Sequence, residues 1–582
     1  MTTDDADRDA LVRAEGVAWT ARLSWARRQL PLLDPTAETR ANLEKWQLAV
    51  DPGGLGGFDE RLRRAGLDHD RALVAVSPVT DCPAEEPSWW PWYHQLVGAY
   101  PGEPLPAATG DDWLRLVDQR LPPGTASRIP FAHLLWPIVA AAWRSLVGRE
   151  ASLMADIAES AQQDLCRGLL ARLSDAAAPC LSALMWEAVP FGQRFLARID
   201  PESGEQPRTR YAEFCRAQAE GALTEVFTRF PVLGSVLAKV VGQWTQSVSE
   251  LLVRLDRDRV ALAARFQIPA TTPLTAVQGA VGDTHNDGRS VCILSFGESR
   301  LVYKPRNVAL EDLYERLVKA LSRLTPQQPL RAANALTRSE PGGRDYGYVE
   351  YVTARPCATE QELQGFYRNA GRTLALLHSL AATDCHQENL IAVGSQLVLV
   401  DAETLFDMAA PPAARLSAAV ELDVPGADPA SVLRVGMLPT WLWLEGRQTA
   451  LDISALGAAP GDVDVHGVGS RGWRHVNSDA MVPGGGDTRA VHPQSLPTPI
   501  GIEGPLSTYL DTLVAGFEQT YRLLATELAP RLRALREQSA RLRRRTVIRP
   551  TYVYASLLAA SVEPAALTSC AARGLVLERL TR

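Results

Sequence analysis

Apolar residues recur every three or four positions through most of the first 265 residues, as in VFTRFPVLGSVLAKVVGQWTQSVSELLVRLDRDRVALAARF (226–266). That period predicts amphipathic helices, with Pro231 near a helix start, where its missing N–H is not needed. Proline, glycine and tryptophan crowd 78–106, so loops interrupt the helices there. No fixed-period repeat stands out, and no polar constellation is obvious among these helices.

Near residue 270 the period changes. TAVQGAV, SVCILSF and RLVYKP read as three short strands joined by GDTHNDGR and by Gly297 and Glu298. VALEDLYERLVKALSRL follows as an amphipathic helix with Leu310, Leu313, Leu317 and Leu321 on one side. AANALTR and YGYVEYV look like two more strands, and GFYRNAGRTLALLHSL like another helix. TDCHQENLIAVGSQLVLVDAETLF (383–406) then places polar residues around a short apolar hairpin. A long, poorly periodic section with Gly484 to Gly486 suggests a mobile loop, and a helical pattern returns over about 504–542, ending in RLRRRTVIRPTYVY. The expected organisation is a helical region (1–265) open to a role in substrate or leader-peptide recognition, a kinase-like catalytic core (266–410), and an activation-type loop region with a helical tail (411–582) expected to contribute further site residues.

Composition narrows the class. A chain of 582 residues, 46% hydrophobic and 22% charged, is long enough for several packed units at roughly 100 to 200 residues each. A formal net charge of −7 argues against wholesale nucleic-acid binding. The eight cysteines are scattered without a CxxC pair, which fits a reducing cytoplasm, and the acidic start MTTDDADRDA is not a secretory signal. The most apolar early run, FAHLLWPIVAAAWRSLVG (131–148), is broken by His133, Pro137 and Arg144, so a buried helix is expected rather than a membrane span, which needs about 20 apolar residues.

Phosphoryl transfer from a nucleotide needs positive charge on the phosphates, metal ligands, and a residue that orients the attacking hydroxyl. Protein kinases meet this with a strand lysine, a loop Asp followed by an Asn, and a metal-binding Asp after a hairpin. Here Lys304 lies in the third strand, Asp384 and Asn389 sit in a loop after a helix, and Asp401 ends the hairpin. Asn389 and Asp401 offer the hard oxygen ligands magnesium prefers, leaving Asp384 to orient or deprotonate a hydroxyl and His386 to stabilise transferring charge. Glu311 or Glu315 could partner Lys304, and the sequence does not choose between them. Each piece also has an ordinary reading: a solvated strand lysine, an Asn-Asp-Gly turn, an Asp and an Asn capping turns. Their joint order is what favours a kinase-type site.

The same residues resemble a particular family. GDTHNDGRSVCILSFGESRLVYKPR and TDCHQENLIAVGSQLVLVDAETLF, with FPVLGSVL (230–237), SVLRVGMLP (431–439), LDISALG (451–457) and RTVIRPTYVYASLL (545–558), resemble the dehydratase domain of class II lanthipeptide synthetases, the LanM type. The resemblance implies an α+β, lipid-kinase-like bilobal core between a large N-terminal helical region and a C-terminal helical tail. It further implies ATP- and Mg2+-dependent phosphorylation of Ser and Thr in a ribosomal precursor peptide, followed by phosphate elimination to dehydroalanine or dehydrobutyrine. Lys304, Asp384, His386, Asn389 and Asp401 match the family's phosphorylation site. Asp283, His285, Arg545 and Thr551 match positions tied to elimination or to holding the phosphate, and Glu403 matches a further active-site acid. A guanidinium such as Arg545 suits a departing phosphate, and a histidine such as His285 suits proton transfer near neutral pH.

One departure accompanies the match. Synthetases of this type carry a C-terminal zinc cyclase domain, whereas the only cysteine after Cys385 is Cys570 and no histidine follows His492. The expectation is a dehydratase acting alone in the cytoplasm, with a precursor peptide as partner, and with a separate cyclase and a transporter as further partners. A simple kinase of a small molecule or peptide, and a non-catalytic scaffold that binds the leader segment, are the competing readings.

Overall fold

Helices dominate up to Phe266, as the three-to-four spacing predicts; the two longest described are α1 (Glu159–Glu187) and α2 (Pro231–Phe266). The computed structural model describes residues 3–30, 32, 34–78, 86–100, 111–187, 189, 206–285, 287–406, 431–443, 450–457, 472–484, 494–497, 506–542 and 551–581. The apolar run near 131 forms the helix Ala132–Arg149 with His133, Leu134, Leu135, Ile138, Val139 and Leu146 buried. Among the described residues no helix is long and apolar enough to cross a membrane.

The strands form one antiparallel sheet, β1 (Ala276–His285), β2 (Arg289–Phe296), β3 (Ser299–Lys304), β4 (Ala335–Arg338) and β5 (Tyr346–Glu350), in the order β1-β2-β3-β5-β4. The first strand runs further than its apolar pattern suggests. It takes in Gly282–His285, assigned above to a linker, because register shifts after Gln278 and Val281 let the ladder resume at His285↔Arg289. In the connection to β2, Asp287 (φ 65°) and Gly288 (φ 80°) adopt the left-handed region that tight hairpins need.

Strand alternation divides the sheet's burial between two cores. Leu294, Phe296, Leu301, Tyr303, Tyr346 and Tyr348 join the core of the helical region, while Val302, Ala335 and Val349 face Val308, Val352 and Val398 on the other side. On that second side lie α3 (Ala309–Leu324), α4 (Glu360–Ser379), the hairpin β6 (Leu390–Val393) and β7 (Gln396–Leu399), and α5 (Leu510–Thr526). Helices α4 and α5 touch backbone to backbone, because a Cβ at Gly371 would strike the Leu513 carbonyl and one at Gly516 the Arg368 carbonyl. The chain is thus mixed α and β, mostly helical, with small antiparallel sheets.

Charged groups lock α2 onto the sheet. The wholly buried Asp258 accepts from Tyr346 Oη (2.6 Å), Tyr348 Oη (3.1 Å) and Arg338 Nε (2.8 Å). Arg254 donates to Tyr303 Oη (2.7 Å) and to Glu340 (3.1 and 2.7 Å). The helical region also buries a polar cluster that its periodicity does not announce. His133 meets Tyr211 Oη (3.0 Å) and Asp118 (2.8 Å), and Asn477, from the 472–484 segment, caps the Phe131 N–H (2.6 Å).

Glu315 has a structural task. It receives Arg265 Nη2 (2.5 Å), Lys319 Nζ (2.5 Å) and the Ala335 N–H (3.0 Å), tying α2, α3 and β4 together. Burial raises its carboxyl, but these donors outweigh burial and hold it below the ordinary 4.5. A depressed carboxyl stabilises the fold above its unfolded value, and that stability is lost as pH falls through the folded value. We therefore expect Glu315→Gln to cost about 2 kcal/mol at pH 7. In urea denaturation its gap to the wild type should narrow below pH 4.5; a gap that is independent of pH would contradict this role.

Candidate active site

Lys304 ends β3, paired with Gly347, and its side chain turns away from Tyr303 and the helical core. The ammonium reaches Glu311 Oε1 (3.1 Å), Asp401 Oδ2 (3.3 Å) and the Val400 carbonyl (2.9 Å), which uses its three donors. Glu311 sits in the first turn of α3, where the helix dipole favours a carboxylate, and the Asn307 side chain caps that turn at the Ala309 N–H (2.7 Å). The structure therefore selects Glu311 as the partner of Lys304, with Glu315 committed elsewhere.

Arg306, two residues on, is the residue that sequence reasoning missed. Its Nη2 contacts Asp401 Oδ1 (2.6 Å) and Glu311 Oε1 (3.0 Å), and its Nε contacts Glu403 Oε2 (3.1 Å). The signal was its place beside Lys304 in the matching YKPR stretch, but nothing in a linear pattern says where a guanidinium points. Burial pushes the Asp401 carboxyl upward, yet Arg306 and then Lys304 hold it far below the usual carboxylate range. Asp401 therefore stays ionised throughout the physiological range.

The loop before β6 is set by its neighbours. Asp384 adopts φ 60°, an uncommon conformation for a non-glycine residue. Cys385 N–H donates to Val435 O (2.9 Å), Gln387 N–H to Ile453 O (3.1 Å), and His386 bridges to Ser454. Two stretches quoted above for their resemblance, 431–439 and 451–457, thus serve as clamps on this loop. Burial pushes the Cys385 thiol upward, so it is an inert packing group.

Within the loop, the Glu388 N–H donates to His386 Nδ1 (3.2 Å). In the neutral ring the proton then sits on Nε2, which faces Asp384 Oδ1 at 3.5 Å. Asn389 Nδ2 donates to the Asp384 carbonyl (2.8 Å), leaving Oδ1 as its acceptor atom. The Asn389 carbonyl receives the Val400 N–H (3.0 Å), so the open end of the β6–β7 hairpin holds Asn389 beside the strand that delivers Asp401. The structure brings Lys304, Asp401 and Glu403 into one charge network and Asp384, His386 and Asn389 into one loop joined to it.

Of the other expected site residues, Asp283 and His285 lie on β1 and Thr551 opens the helix Thr551–Ala560, but their side chains lie outside the described residues, and so does Arg545 entirely.

The donor set suits a hard divalent cation. Two cations, Lys304 and Arg306, meet three carboxylates, Glu311, Asp401 and Glu403. Glu311 Oε2 is buried with no hydrogen-bond partner among the described residues. No group of three or more His, Cys, Asp or Glu among those residues forms a preformed cage. Two oxygen donors, from Asn389 and Asp401, are nonetheless what Mg2+ uses when phosphates and waters complete its shell.

A domain family described as DUF4135, a domain of unknown function, matches residues 230–582. The chain belongs to this family. Its DUF4135 segment contains all of β1–β7, the clamped loop and Arg306, and leaves the first 229 residues outside. The chain is also 26% identical, over 210 residues, to the "Lacticin 481/lactococcin biosynthesis protein LcnDR2" of Lactococcus lactis subsp. lactis. That alignment covers 35% of this chain and 23% of the relative, so the match spans less than a quarter of the relative's length. Both findings support the resemblance to LanM-type synthetases.

Replacing Arg306 by Gln removes a cation from among three carboxylates. We expect a loss of about 3 kcal/mol in metal-free buffer. Adding Mg2+ should raise the variant's thermal midpoint more than the wild type's, because the ion restores the missing positive charge. An absence of any Mg2+ shift in the variant would show that Asp401 does not face a cation site.

Proposed function

We propose that this chain dehydrates a ribosomally made precursor peptide, phosphorylating Ser and Thr with ATP and Mg2+ and then eliminating the phosphate. The observation that carries the reading is Lys304 joined to both Glu311 and Asp401 beside the Asp384–Asn389 loop, the arrangement phosphoryl transfer requires. The named relative's part in lacticin 481 and lactococcin biosynthesis supports a peptide as the substrate class. The sheet with α3, facing α4, α5 and β6–β7, corresponds on this reading to the two lobes of a kinase-like core.

In the first half-reaction Asp384 accepts the proton of the Ser or Thr hydroxyl, whose oxygen bonds to the terminal phosphorus of ATP as the bond to the departing ADP breaks. His386 steadies Asp384 through its Nε2 proton, and Lys304, held by Glu311, faces the phosphates. Asn389 and Asp401 would hold Mg2+, which when bound offsets phosphate charge. In the second half-reaction the α-proton is removed, its electron pair forms the Cα=Cβ bond, and the Cβ–O bond breaks to release phosphate. Asp283, His285, Arg545 and Thr551 are the residues proposed for that step or for holding the phosphate, with Arg545 on the departing phosphate and Glu403 as a further active-site acid. The reaction would run in the cytoplasm, with a separate cyclase and a transporter as later partners.

Incubation with ATP, Mg2+ and the precursor peptide should yield a product lighter by one water per modified residue in mass spectrometry. Asp384→Asn should slow the reaction by about 100-fold or more. Arg545→Ala should accumulate phosphorylated peptide; wild-type protein that stops at the phosphorylated stage would instead establish a simple kinase, and no ATP turnover would leave a leader-binding scaffold.

A further inference from the structure

A cleft of about 640 Å3, its open mouth included, lies between α1, α2 and the outer face of β1–β3. It is on the face of β3 that carries Tyr303, opposite Lys304. Leu165, Trp244, Val248 and Leu251 give it an apolar floor. Gly168 on α1 and Gly279 on β1 sit at its rim, and a Cβ at either would meet nothing within 4 Å. A glycine inside a helix sacrifices stability relative to alanine, so Gly168 keeps the mouth open at a cost.

The charged groups lining the cleft are matched, with one exception. Arg289 and Glu250 form a two-bond pair (2.8 and 2.7 Å), and Asp164 takes Arg167 (2.6 Å) and the Val277 N–H (3.1 Å). Arg172 reaches the rim beside Gly288, near Gln243, with no hydrogen bond or ion pair to any described residue. Burial alone acts on its ionisation, disfavouring the cation. An apolar floor with one uncompensated guanidinium is complementary to an apolar group that carries an anion.

We propose that this cleft docks an acidic segment of the peptide substrate, seating an apolar side chain on its floor and a neighbouring carboxylate on Arg172. The inference rests on the peptide-modifying reading, which requires a long substrate to be held while its hydroxyls visit the other face of the sheet. A grip on the outer face of β3 anchors the chain without occupying the nucleotide side.

The probes are anilinonaphthalene sulfonate, an apolar anion, and N-phenylnaphthylamine, its neutral counterpart, both followed by fluorescence on the full chain. Arg172→Gln should weaken the anion about tenfold and leave the neutral probe unchanged. Gly168→Leu, or Gly279→Val if the first does not fold by circular dichroism, should close the cleft to both. A Leu-rich heptapeptide with two Asp residues should displace the anion at about tenfold lower concentration than its Asn counterpart. The proposal is overturned if Arg172→Gln leaves the anion's affinity unchanged, or if a folded filled variant binds as before. It is also overturned if 4-phenylbutyrate competes while the acidic peptide does not, which would assign the cleft to small anions. None of these readouts requires turnover, so they stand apart from any failure of the dehydration assay.

Discussion

The contact on which the site depends is the meeting of Lys304 and Arg306 with Glu311 and Asp401. It joins three elements of separate origin: the end of β3, the first turn of α3 and the turn after β7. Each charge alone would be costly to hold at this depth, since Lys304 and Glu311 are almost fully withdrawn from water. Together they satisfy one another, and the arrangement persists only while all three elements keep their places.

The surrounding packing supplies that constancy. Asp258 and Arg254 of α2 grip the tyrosines on one face of the sheet, and the cores around α3, α4 and β6–β7 press on the other. A sheet held from both faces cannot shift Lys304 without disturbing a buried hydrogen bond or a packed core. The Asp384 loop is fixed by different means, through backbone bonds to 435 and 453 and the β6–β7 ladder. Backbone clamps suit a loop whose Asp384 holds an uncommon φ, because they place it without using its side chain.

The same sheet separates two environments. Its inner face carries the charge network of Lys304 and Arg306 with Glu311, Asp401 and Glu403. Its outer face opens on an apolar cleft where Arg172 has no ion pair among the described residues. Alternation along β3 sends Tyr303 to one and Lys304 to the other, so neighbouring residues serve opposite faces.

The amino-acid sequence determined the order of parts: the helical period up to 265, five strands with an inserted helix, and the Lys304, Asp384, Asn389 and Asp401 series. Those features are local in the chain, since periodicity and turn residues act over a few positions. It left Glu311 and Glu315 undecided, because both lie near the start of one helix and only the position of α2 assigns Arg265 to one of them. It passed over Arg306, whose partners lie up to 97 residues away, and placed Gly282–His285 in a linker, because a bulged strand breaks the alternation that marks strands. The clamps from 431–437 and 452–456, the burial of Asp258 and the placing of Arg172 at the cleft were decided by tertiary structure alone. Charge pairing and desolvation depend on which distant elements meet, and no short-range pattern encodes that.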